Sequence, residues 1–262
     1  MPASQPFSFN HPLIVAHRGF SANYPENTMT AFKAGVDAGA QMVELDVHMT
    51  RDRELVVIHD DTVNRTTNGK GPVDEYTLPE LKKLDAGHWF HPRFAGEQIP
   101  TLKEVLRQLS HRVLINIEIK SEYGQNPLVL GAIEEGVLDL LKREDVFAAV
   151  LISSFDPWII ENIKRTNDSL AVAFISKTTE GEKTVNFCRG LNVFSFHPHF
   201  LSVDKELVKR MHAAGIQVFP YNVNSELEFQ RLIDTGADGL ITAEPLLFKN
   251  WYSRLTAAEE TS

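Results

Sequence analysis

Residues 43–60 read VELDVHMTRDRELVVIHD, and the assignment of everything around them turns on how this run folds. Apolar, β-branched residues mark two short strands, and side chains alternate along a strand. Glu44 and Asp46 therefore share one face, opposite Val43, Leu45 and Val47. The link TRDR is too short for a crossover helix, so LVVIH (55–59) returns antiparallel as a hairpin arm. With the turn centred near Asp52, Asp46 pairs with about Ile58, which sets His59 beside the two carboxylates.

Outward from this hairpin, apolar runs alternate with amphipathic helical stretches, the pattern of a parallel sheet covered by helices. The strands are LIVAHRG (13–19), MVELDV (42–47), VLINIEIK (113–120), AAVLISSF (148–155), LAVAFIS (170–176), NVFSF (192–196), IQVFPYNVN (216–224) and GLITA (239–243). Helices are expected over MTAFKAGVDAGA, LVLGAIEEGVLDLLKRE (128–144), PWIIENIKRT, EKTVNFCRG, DKELVKRMHAAG and SELEFQRLIDTG, with Asn27 or Thr28 capping the first. Setting the hairpin arm aside leaves eight strands, and 262 residues suit a (β/α)8 TIM barrel, which runs to about 250. One catalytic domain over 13–250 is expected. Residues 60–101 break the alternation, being rich in Gly, Pro and turn residues with one helical piece at LPELKKL. A segment so long and irregular is usually functional, and it is expected as an insertion over the barrel mouth. The tail after Trp251 reads as polar and frayed.

Composition narrows the function classes. Lys and Arg number 26 against 35 Asp and Glu, a formal net charge of −9, which argues against a nucleic-acid partner. The lone cysteine, Cys188, excludes an intrachain disulfide. No apolar run approaches the ~18 residues of a membrane span, and the opening MPASQPFSFNHPLIVAHRG has neither basic n-region nor apolar h-region. A cytoplasmic protein without membrane insertion is the expectation.

Catalytic groups of such barrels gather at the C-terminal ends of the strands. His17 and Arg18 end the first strand, Glu44 and Asp46 lie near the end of the second, and Glu118 and Lys120 end the third. Three carboxylates meeting at one mouth repel unless a cation lies among them, and all-oxygen ligation favours Mg²⁺ or Ca²⁺. Arg18 and Lys120 add positive charge for an anionic substrate, and His17 and His59 suit paired acid and base roles. Together these groups describe cleavage of a phosphate ester. His199, in FHPHF, is a candidate substrate contact on the mouth side, and Trp89 and Phe90 either cover the pocket or pack the insertion.

The segments HRGFSANYPENTMTAF, ELDVHMTRDRELVVIHD, RTTNG, LDAG, GEQIPTL and NIEIK, in that order, resemble the glycerophosphodiester phosphodiesterase family. The resemblance runs from about residue 13 to the end and is densest over the first 120 residues. It implies hydrolysis of a small-molecule glycerophosphodiester to sn-glycerol 3-phosphate and an alcohol, with one divalent cation. It further implies His17 and His59 as the acid–base pair, Arg18 on phosphate, Glu44, Asp46 and Glu118 on metal, and Lys120 beside them. Two positions depart from the pattern. Asn222 in YNVN replaces a threonine and Ala243 in TAEP replaces an aspartate, which bears on the alcohol or glycerol preference and not on the reaction. Two other readings compete: a lysophospholipase D acting on lysophospholipids, which needs an apolar groove for an acyl chain, and a non-catalytic phosphate-binding barrel.

Overall fold

The computed structural model describes residues 12–120 and 131–259. The strands are β1 (Leu13–His17), β2 (Met42–Met49), β3 (Leu55–Val57), β4 (Leu114–Ile119), β5 (Val150–Ser154), β6 (Ala171–Ser176), β7 (Ser195–Pro198), β8 (Gln217–Val218) and β9 (Gly239–Thr242). The helices are α1 (Met29–Asp37), α2 (Leu78–Leu81), α3 (Leu102–Leu109), α4 (Ala132–Glu144), α5 (Pro157–Thr166), α6 (Glu182–Gly190), α7 (Lys205–Ala213), α8 (Glu226–Ile233) and α9 (Pro245–Glu259). The sheet order is β8-β7-β6-β5-β4-β2-β1-β9, all parallel, with β3 antiparallel on β2. Val57 pairs with Val47 and Leu55 with Met49, and Ile58 N–H donates to Asp46 O at 3.0 Å, the hairpin register expected from the sequence.

This is a nearly closed (β/α)8 barrel. The ladder fails only between β8 and β9, where Pro220 has no N–H to give. Three single bonds cross that seam, Asp238 N to Val218 O, Ile241 N to Pro220 O and Val223 N to Ile241 O, at 2.9–3.0 Å. The strand expected over 216–224 is thus paired regularly only at its start.

Register stacks the barrel interior in layers. Val15, Met42 and Leu114 are adjacent across β1, β2 and β4; one step up are His17, Glu44 and Asn116; then come Asp46 and Glu118. Below, Leu13, Val15, Met42, Leu151, Ala173, Phe219 and Ile241 close the barrel floor with apolar side chains. Inward positions therefore change from apolar to polar toward the C-terminal ends of the strands, and this places the chemistry. Outward positions such as Val43, Leu45, Ile115 and Ile117 are fully buried beneath the helices in one continuous core. Burying each such side chain stabilises the fold by about 1.5–3 kcal/mol.

Two helices exceed the expectation. Helix α3 was not foreseen, although TLKE carries a capping box: Glu104 N–H donates to Thr101 Oγ1 at 3.1 Å and Glu104 accepts from Thr101 N–H at 2.7 Å. Helix α9 continues through the tail read as frayed, because Phe248, Trp251, Tyr252 and Leu255 return at helical spacing to pack on the core. The first helix is capped by Thr28, whose hydroxyl accepts from Ala31 N–H at 3.2 Å. Of the helix expected from 128, the first three residues lie outside the described residues.

Residues 60–101 form an irregular layer with a small core of Val56, Ile58, Val63, Val73, Leu81, Ala86 and Ile99. Trp89 and Phe90 belong to a chain of ring contacts, Trp89–Phe90–Phe94–Tyr24–Phe20, that fastens this segment to the loop after β1. Neither ring lines the cavity described next.

Candidate active site

A cavity of about 230 Å³ opens at the C-terminal end of the barrel. His17, Arg18, Glu44, His59, Glu118 and Lys120 line one half of it, the half built by β1, β2, the hairpin and β4. Ligand oxygens of Glu44, Asp46 and Glu118 all lie within 4.8 Å of one another, and all three residues are buried. The parity of β2 and β4 brings them together, and neighbouring groups orient each one. Arg18 N–H donates to Glu44 Oε2 at 2.9 Å. Asn27 Nδ2 donates to Asp46 Oδ2 at 2.8 Å. Lys120 Nζ lies 2.7 Å from Asp46 Oδ1 and also donates to Glu118 Oε1.

The loop after β1 is bent into shape by unusual backbone. Arg18 and Asn27 adopt left-handed conformations with φ of 53° and 57°. Between Arg18 and the helix, Gly19 sits at φ 82°, and a Cβ there would come 2.5 Å from the backbone carbon of Ala31. Only glycine fits, so the HRG sequence lets Arg18 fold back over the carboxylates. Arg18 Nη1 donates to Glu26 Oε1 at 2.9 Å, and its Nε lies 3.1 Å from Asp46 Oδ2.

His59 faces the cavity with its Nδ1 2.7 Å from Asp60 Oδ1. Arg65 then ties this pair to the opposite wall. Its Nε and Nη2 reach Asp60 at 2.8 and 3.0 Å, while Nη1 and Nη2 reach Glu26 at 2.8 Å each. A continuous path of ion pairs therefore runs from Arg18 through Glu26 and Arg65 to Asp60, which is hydrogen-bonded to His59. His48 is buried and meets the carbonyl of His59 through Nε2 at 3.1 Å. His17 Nε2 stands 4.0 Å from Glu44 Oε2.

His199 is not among the cavity's lining residues; His197 is. The strand begins later than expected, at Ser195, and carries His197 inward before ending at Pro198. His199 opens a 3-10 turn, where its ring packs against Phe200 and Tyr221. Asn27 was read only as a cap, and its amide contact with Asp46 spans 19 residues with no pattern to announce it.

A family model for the glycerophosphoryl diester phosphodiesterase family matches residues 17–247. The chain belongs to the glycerophosphoryl diester phosphodiesterase family. It is an enzyme of that class, a phosphoric diester hydrolase. It is 41% identical over 234 residues to a glycerophosphodiester phosphodiesterase of Caldanaerobacter subterraneus subsp. tengcongensis, covering 89% of this chain and 94% of the relative. A Bacillus altitudinis glycerophosphodiester phosphodiesterase is 36% identical over 236 residues, covering 88% and 94%. Among solved structures, an Oleispira antarctica phosphodiesterase in complex with the product sn-glycerol-3-phosphate is 28% identical, with a TM-score of 0.85 and coverage of 93% and 97%.

The electrostatics of this phosphodiesterase cavity divide the carboxylates. Burial, then the charges of Asp46 and Glu118, push Glu44 well above the usual carboxylate range. Burial and Asp46 likewise push Glu118 up. Burial would raise Asp46 too, but Lys120, Arg18 and His59 outweigh it and hold Asp46 low. Glu44 Oε1 is buried with no hydrogen-bond partner. The donor set is thus all oxygen, short of positive charge and holds an unpaired carboxylate atom, which fits a hard divalent ion. Burial, followed by Arg18, lowers His17 to about 3, and burial also lowers His59.

Proposed function

We propose that this enzyme hydrolyses glycerophosphodiesters to sn-glycerol 3-phosphate and an alcohol, with Glu44, Asp46 and Glu118 holding one divalent cation, Mg²⁺ or Ca²⁺, and His17 and His59 exchanging the protons. The observation that carries this reading is the convergence of three buried carboxylate oxygens within 4.8 Å in a cavity lined also by both imidazoles. The relative crystallised with sn-glycerol-3-phosphate supports the product. Residues 13–250 act as one catalytic domain, and 60–101 as an insertion that braces its mouth through Arg65.

When bound, the cation supplies a Lewis acid for a phosphoryl oxygen and offsets the developing charge. The chain's own groups do the rest. Arg18 and Lys120, held by Glu26, Asp46 and Glu118, direct fixed positive charge at the phosphate without reorganising. Asp60 on Nδ1 fixes the His59 ring so that Nε2 is the nitrogen offered to substrate, and it stabilises the imidazolium whenever that forms. One imidazole, neutral, takes the proton of the attacking hydroxyl, and the other, as imidazolium, gives its proton to the departing alkoxide, a contribution of ~10²–10⁴-fold. Positioning and electrostatics supply the remainder of the rate.

Cavity size bears on the substrate. At about 230 Å³ the space is below the ~300–1,000 Å³ of sites for drug-sized ligands. It suits a small polar diester rather than an acyl chain, which disfavours lysophospholipids. The test is a product assay on glycerophosphodiesters with wild type, His17→Ala and His59→Ala. Each variant is expected to lose at least about a hundredfold in rate while staying folded. Near-normal turnover by either variant overturns the paired-histidine reading.

A further inference from the structure

Asn116 sits inside β4, between Ile115 and Ile117, which are fully buried on the outward face beneath the helices. Its side chain therefore points into the barrel, on the face that carries Glu118. There it is 1% exposed and lines the cavity beside Glu44 and Glu118, yet its Oδ1 is buried with no hydrogen-bond partner. Buried polar atoms are rarely left unpaired, so this one calls for a partner that the chain does not supply.

The surroundings of the amide define that partner. Leu114 and Glu118 share its face along β4, and Glu44 and Leu151 are its register partners on β2 and β5. Two of these neighbours are aliphatic, and the other two are carboxylates, which only accept hydrogen bonds when ionised. Ser153, opposite Glu118 on β5, has its own hydroxyl unpaired and makes no bond to the amide. Glu44 Oε1 is unpaired as well. Adjacent strands lie about 4.7–4.9 Å apart, so two acceptor oxygens without a donor project from neighbouring positions of one face. A positive ion, or a water bound to it, satisfies both at once. Glu44 also contributes an oxygen to the cluster of three carboxylates within 4.8 Å, which puts the amide at the edge of the same site.

Resting on the reading of Glu44, Asp46 and Glu118 as a cation site, we infer that Asn116 Oδ1 is a fourth, uncharged oxygen donor of that site and that it favours Ca²⁺ over Mg²⁺. Ca²⁺ takes about six to eight oxygens in flexible geometry and accepts amide carbonyls, whereas Mg²⁺ holds to an octahedron and keeps several waters. The residue type fits the place. An aspartate here would add a fourth negative charge to a buried cluster that already repels itself, and an apolar residue would offer no oxygen. The competing arrangement turns the amide so that Nδ2 donates to Glu44 Oε1, which makes Asn116 a brace for Glu44 with no bearing on the choice of ion.

The experiment titrates chelator-stripped wild type, Asn116→Leu and Asn116→Asp calorimetrically with Ca²⁺ and, separately, with Mg²⁺, with urea unfolding to confirm that each protein is folded. Asn116→Leu should weaken Ca²⁺ by about 10- to 100-fold and Mg²⁺ by less than about threefold. Asn116→Asp keeps the oxygen and should bind Ca²⁺ at least as tightly as wild type, and it decides the question if the bulkier Leu unfolds the barrel. Unchanged Ca²⁺ affinity in folded Asn116→Leu, or an equal loss for both ions such as a displaced Glu44 would give, overturns the role of Asn116, as does weaker Ca²⁺ binding by Asn116→Asp. Each of these leaves the three carboxylates as a cation site. Wild type that binds neither ion overturns the cation site and the fourth donor with it.

Discussion

Replacing Arg65 by Ala removes a side chain that joins the Arg18 wall to the His59 wall, without touching the cavity lining. The arginine makes four charged contacts at 2.8–3.0 Å, two on Glu26 and two on Asp60. Hydrogen bonds to charged groups are worth ~1.5–3 kcal/mol when buried, and exposed ion pairs ~0.2–1 kcal/mol. The Arg65 side chain is 43% exposed against 13% for Glu26 and 27% for Asp60. Solvent therefore screens much of the gain, and the total loss of stability is about 2 kcal/mol. The kinetic effect is expected to be the larger one. Without Arg65, Asp60 keeps only His59, Glu26 keeps only Arg18, and both functional groups gain freedom. Misplacement by about 1 Å costs up to ~10²-fold, so kcat should fall about 10- to 100-fold with KM little changed. Arg65→Lys keeps the charge but loses the two-sided fork and should be intermediate. Urea unfolding and steady-state hydrolysis of glycerophosphoglycerol measure both quantities. Wild-type kcat in Arg65→Ala, with the protein folded, would refute the bracing argument.

Two further outcomes follow from the same geometry. Gly19→Ala forces a Cβ to 2.5 Å from backbone at φ 82° and should cost about 3–4 kcal/mol in chemical denaturation, along with activity through displacement of Arg18. Asp60 is held down to about 2 chiefly by its bonds to Arg65, against burial, with His59 adding to the effect. A depressed carboxylate stabilises the fold above its unfolded value, so this contribution is full above about pH 4 and vanishes as pH falls through about 2. After allowance for solvent screening it amounts to about 1 kcal/mol, and the stability gap between wild type and Asp60→Asn should close over that window.

The barrel was legible because its signals are local. Eight apolar runs, the short TRDR link and the alternation of Glu44 and Asp46 give strand order, hairpin register and the inward face. The same alternation stacks Glu118 beside Asp46, so the carboxylate cluster is legible in the sequence. What sequence did not reveal depends on backbone bends and on contacts without a period. Asn27 reaches Asp46 only because the chain turns left-handed there, and Arg65 meets Glu26 across 39 residues. His197 and His199 share strand parity, but the strand stops at Pro198 and only the former stays in the wall. Helices α3 and α9 are of another kind. The capping box at Thr101 and the spacing of Phe248, Trp251, Tyr252 and Leu255 are local signals that the sequence does carry.

The central claim is that the three buried carboxylates form a site for a hard cation that the reaction requires. Isothermal titration of chelator-stripped enzyme with Mg²⁺ and with Ca²⁺, for wild type and Glu118→Gln, alongside hydrolysis by the same samples, tests it most directly. One ion per wild-type chain, affinity at least about tenfold weaker in the variant, and activity restored in step with occupancy are expected. Full activity in the stripped enzyme, with no ion bound by either protein, would contradict the account.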